Sequence, residues 1–107
     1  MQEEPSKKED WCDVLSLYIK KHIAIYGLQI AVSKAKKIQS LTVTDDGEVT
    51  VINGSFETVL KQLFGEYAML SAELAKNVLK PLLGKLPDDT RQRLAYLVKI
   101  DEKKEDR

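Results

Sequence analysis

Apolar and polar positions along this chain change period twice, and each change marks the start of a new element. From Trp11 to about Gln39 the spacing is helical, with Gly27 as the weak point. Trp11, Leu15 and Tyr18 share one stripe. Between Ile23 and Val32 (IAIYGLQIAV), stepping about 100° per residue spreads Ile23, Ile25, Leu28, Ile30, Ala31 and Val32 around most of the circumference. A helix that is apolar all round needs cover on more than one side.

Over 41–53 (LTVTDDGEVTVIN) the period becomes two. If Asp45-Asp46-Gly47 forms a three-residue loop, Leu41, Val43, Val49 and Val51 share one face of a β-hairpin, and Thr42, Thr44, Glu48 and Thr50 the other. Gly47 then takes the left-handed position that closes such a loop. After Asn53-Gly54, Ser55 is a natural N-cap with Glu57 in the first turn of a second long helix. Phe56, Leu60, Leu63, Tyr67, Leu70, Leu74 and Val78 run at nearly heptad spacing. Pro81 is expected to stop or kink that helix near Lys80. PLLGKLP (81–87) reads as a connector to a last helix starting at Pro87 or Asp88, with Leu94, Leu97 and Val98 on its apolar side.

The pattern predicts an α+β domain, mainly α, over 11–100. Two long antiparallel helices are linked by the hairpin at 41–53 and followed by a short C-terminal helix. A flexible charged arm (1–10) and a charged tail (101–107) flank it. With 107 residues and 43% hydrophobic composition, the chain suffices for one domain with one modest core. MQEEPSKKED has no apolar run of the kind a secretory signal carries, and 23–32 is too short to span a bilayer. A cytoplasmic protein is the resulting expectation, and the abundance of Lys and Glu is compatible with a thermophilic source.

Charge and chemistry narrow the function classes. The 17 Lys+Arg balance the 17 Asp+Glu, which argues against a general nucleic-acid coat. Cys12 and His22 stand alone in their residue types. On one helix their ten-residue separation is about 15 Å, too far for a nucleophile–base pair. His22 is expected to be a partly exposed packing residue. Asp45-Asp46 and Asp88-Asp89 are explained by turn and helix-start preferences. Glu66 and Glu73 lack the Glu-x-x-His partners of a di-iron bundle, and no glycine-rich phosphate loop is present. No catalytic residue, cofactor or metal site is therefore assigned.

The faces left over point to assembly. The expectation is a non-enzymatic, helix-mediated assembly or regulatory module. It pairs as a homodimer through Ile23, Ile25, Leu28, Ile30 and Val32, where one intrachain helix cannot cover the whole collar. A further protein partner is compatible with the same surface. The alternative is a small nucleic-acid-associated protein that uses Lys34, Lys36 and Lys37, with Arg91 and Arg93 as a second basic spot.

Overall fold

The structure is a computed structural model, and it describes residues 7–98. The described chain is a mainly helical α+β fold: α1 (Lys7–Tyr26), α2 (Leu28–Lys36), β1 (Leu41–Val43), β2 (Val49–Ile52), α3 (Phe56–Ala68), α4 (Ala72–Leu83) and α5 (Asp88–Leu94). Helix α1 starts four residues before Trp11, so Lys7–Asp10 belong to a helix instead of the expected loose arm. The rest of that arm and the tail at 101–107 lie outside the described residues.

Neither long helix is continuous, which corrects the expectation of two. Gly27 has φ 96° and ψ 160°, a conformation open in practice only to glycine. Its N–H closes the last turn of α1 on the Ile23 carbonyl (2.8 Å), and its carbonyl accepts the first α2 bond from Ala31 (3.2 Å). The bend therefore costs little backbone hydrogen bonding while it redirects the chain. It also divides the collar: Val32 and Ala31 turn into the core and Ile23 packs against it, while Ile25, Leu28 and Ile30 stay at the surface.

The second break falls at Met69–Ser71. Ser71 is extended (φ −165°, ψ 111°), and its hydroxyl accepts from the Leu74 N–H at 3.2 Å, capping α4. The heptad seam is thereby split: Phe56, Leu60, Leu63 and Tyr67 are buried on α3, whereas Leu70 at the turn is exposed. Pro81 does not end α4, which runs on to Leu83. The ring sits on the exposed side, and burial of Leu82 and Leu83 holds the final turn. The connector shortens to Gly84–Pro87, and α5 begins at Asp88 with Leu94, Leu97 and Val98 buried.

The strands pair antiparallel with Gly47 at φ 92°, as the loop requires. Thr44 N–H donates to the Glu48 carbonyl (2.9 Å) and Gly47 N–H to the Thr44 carbonyl (3.0 Å). The register holds one difference from expectation. Val43 opposes Val49, but Thr42 opposes Val51 and Leu41 opposes Ile52, so Thr50 is an extra residue in a bulge. The bulge flips the rest of β2: Val51 is exposed, and Ile52 takes the inner place assigned to it.

Helix α1 is the axis of the core. Val14, Leu15, Tyr18, Ile19 and His22 form its buried stripe. Ser16 links α1 to the hairpin, accepting from the Val49 N–H and donating to the Cys12 carbonyl, both at 2.8 Å. Tyr18 donates to the Ala75 carbonyl of α4 (3.0 Å), and Tyr67 of α3 donates to the Ala31 carbonyl of α2 (2.7 Å). At the far end Trp11 stacks on Phe56, with 4.4 Å between centroids.

Candidate functional site

The bend at Gly27 presents an apolar corner. Ile25 at the end of α1 is 43% exposed, and Leu28 and Ile30 at the start of α2 are each 48% exposed. From Ala24 to Ile30 every residue is exposed except the half-buried Tyr26. A glycine side chain cannot cover the bend, and a Cβ built at Gly27 would meet nothing within 4 Å. Of the five residues the sequence nominates for an interface, three stand at this corner. Ile23 is half-buried and Val32 is buried beneath it.

The last turns of α1 before the bend carry a cluster of rings that sequence reasoning missed. His22 is fully buried, not partly exposed as expected. Its ring is stacked on Tyr67 at 3.8 Å and 7°, meets the edge of Tyr18 at 4.7 Å, and lies parallel to Tyr26 at 6.0 Å. Nδ1 is 3.0 Å from the Tyr18 carbonyl, which can only accept, so Nδ1 carries the proton of the neutral ring. Nε2 is then a bare acceptor, and neither it nor the buried Tyr26 hydroxyl has a hydrogen-bond partner among the described residues. Burial pushes the His22 pKa below its ordinary 6.5, only partly opposed by the bond to Tyr18. Burial raises the Tyr18 and Tyr67 hydroxyls above their ordinary 10.0, so both remain neutral donors. The signal for this cluster was available: Tyr18, His22 and Tyr26 recur every four residues, one helical stripe.

The nominated basic residues are spread out and mostly engaged within the chain. Lys34 Nζ lies 3.8 Å from Glu66 Oε1, an ion pair too long for a hydrogen bond. Lys36 pairs with Asp45 at the hairpin loop, and its ammonium holds that carboxyl below the ordinary carboxylate range. Arg91 pairs with Asp88, and Arg93 with Glu57, each at 2.5 Å. Lys37 makes no ion pair among the described residues and stays exposed. Arg93 meets the first turn of α3 and Lys34 meets Glu66, nine residues further along it. The two basic spots are thus about 13 Å apart along that helix and form no single stripe.

The carboxylates serve local structure. Thr44 Oγ1 accepts from the Asp46 and Glu48 N–H groups, which holds the loop. Cys12 is half-buried on the same helix as His22, ten residues away, and the two are not brought together. Among the described residues no group of three His, Cys, Asp or Glu is placed to hold a metal ion. No described helix is long and apolar enough to cross a membrane. No known protein family, curated protein or solved structure matches this chain.

Proposed function

We propose that this protein is a non-enzymatic assembly or regulatory module of the cytoplasm that pairs as a homodimer through the corner at Gly27. The observation that carries the reading is the exposure of three large apolar side chains, Ile25, Leu28 and Ile30, on the two sides of the Gly27 bend. Several large apolar side chains left exposed around one bend of a small domain mark an interaction surface more often than a solvated one. Charge placement favours a second copy as the occupant. Residues 14–44 contain five lysines and no acid, whereas 45–57 contain four acids and no base, so each copy carries both halves of a complementary pair. Lys21 one turn before Ile25, Lys37 at the far end of α2, and Asp46 at the hairpin loop have no ion pair among the described residues and are available across such an interface.

The intrachain engagement of Lys34, Lys36, Arg91 and Arg93 weighs against the nucleic-acid alternative, since phosphate binding must compete with a carboxylate at each. Light scattering tests the reading. The wild-type chain should give twice its 12.1 kDa mass at micromolar concentration, and Ile25→Asp should give the single mass. A wild-type monomer overturns it.

A further inference from the structure

We propose that His22 is an acid-sensitive latch on the corner: taking up a second proton at Nε2 releases the last turn of α1 and dissociates the homodimer. The inference rests on the homodimer reading. Its geometry is that of a neutral imidazole locked in place. The ring is wholly buried between Tyr67 and the tyrosines of its own helix, its Nδ1–H is committed to the Tyr18 carbonyl, and its Nε2 makes no hydrogen bond among the described residues. A proton on Nε2 would create a buried cation with an unmet donor, a state that proteins relieve by movement or water entry.

Among the described residues no carboxylate is hydrogen-bonded to the ring. On α1 the neighbours are Tyr18 and Tyr26, with Lys20 and Lys21 exposed. From α3 come Tyr67 and Glu66, the latter paired with Lys34 of α2. From α4 comes the buried Lys76, which is engaged with a partner of its own, and β2 contains no titratable residue. No described hydrogen bond or ion pair joins His22 to a carboxylate. The cheapest relief is a swing of residues 22–26 about Gly27, where a Cβ would meet nothing within 4 Å and the backbone has glycine's conformational freedom. That swing carries Ile25 and Tyr26 away from Leu28 and Ile30, and the apolar corner comes apart.

Because His22 is the one histidine in the chain, its imidazole can be followed directly by NMR while mass is read by light scattering. Between about pH 7.5 and about pH 5, the dimer dissociation constant should rise about tenfold or more, in step with titration of the ring. His22→Phe keeps a ring against Tyr67 but cannot be protonated, and should stay dimeric across that range. If His22→Phe does not fold, His22→Gln and the wild-type imidazole titration decide the question. A wild-type dimer that persists while the imidazole titrates overturns this inference alone. So does dissociation accompanied by complete loss of helical circular dichroism, which is global unfolding. A single-chain mass at pH 7.5 overturns the dimer reading and this inference with it.

Discussion

The imidazole of His22 lies flat against the ring of Tyr67, 3.8 Å between centroids and 7° between planes, and the contact locks α1 to α3. The Tyr67 hydroxyl continues the line to the Ala31 carbonyl of α2 at 2.7 Å. Three helices therefore meet at one pair of side chains.

Acid stability follows from that burial. The folded His22 pKa lies below 6.5 while the unfolded chain titrates near 6.5, so in the interval between them the unfolded state binds more protons. Stability is complete above about pH 6.5 and falls as pH drops toward the folded value. The melting temperature should decline from there downward, before the carboxylates protonate. His22→Phe should flatten that part of the curve, and an identical slope in both proteins would show that His22 is not its source.

Loss of the Tyr67 hydroxyl should be felt on its own. Tyr67→Phe keeps the stacking on His22 and removes the donor to Ala31, so denaturant melts should show a loss of about 1 kcal/mol. A null result would mean that water or a shifted donor satisfies the carbonyl.

Gly47 and Gly54 form a matched pair. Both have positive φ, 92° and 104°, so alanine is strained at either. At Gly54 a Cβ meets nothing within 4 Å, and the strain alone predicts about 1 kcal/mol. At Gly47 the Cβ would lie 2.7 Å from Ile23 Cδ1 and 3.3 Å from Ile19 Cγ2. The first atom can swing away, but the second is on a stiff, buried, β-branched side chain. Gly47→Ala should therefore cost about 2 kcal/mol, roughly twice Gly54→Ala, in thermal melts.

The corner and the core should separate cleanly by mutation. Ile25→Asp places charge on an exposed position and should give a folded monomer. Val32→Asp buries an unpaired carboxylate at a site 6% exposed and should unfold the chain. Lys61→Asp, on the exposed side of α3 with only a distant contact to the Tyr96 ring (5.9 Å), should leave both mass and melting temperature nearly unchanged. Circular dichroism and light scattering on the three variants distinguish these outcomes.

Ser71 explains why the heptad seam does not continue. Its hydroxyl caps α4, so Ser71→Ala should cost about 1 kcal/mol. A gain in stability would mean that a continuous α3–α4 helix is accessible to the chain.

Local rules were sufficient wherever one residue's own backbone preference decided the outcome. Gly47 at the loop, Ser55 at the N-cap of α3, and the mainly helical order around one hairpin all follow from side-chain and backbone chemistry within a few residues. Periodicity likewise placed Leu60, Leu63 and Tyr67 on an inner face, because a helix returns a residue to the same side every three or four positions. Tertiary structure decided the rest. A collar apolar on all sides could be covered by a second chain or relieved by a bend, and Gly27 allowed both the bend and an exposed remainder at Ile25, Leu28 and Ile30. The bulge at Thr50 exchanged Val51 for Ile52, since the inner place is chosen by the fit against the helices and not by alternation alone. His22 was legible as a helix residue, but its burial depended on Tyr67, 45 positions away, because a stacked ring is a property of two helices and not of one.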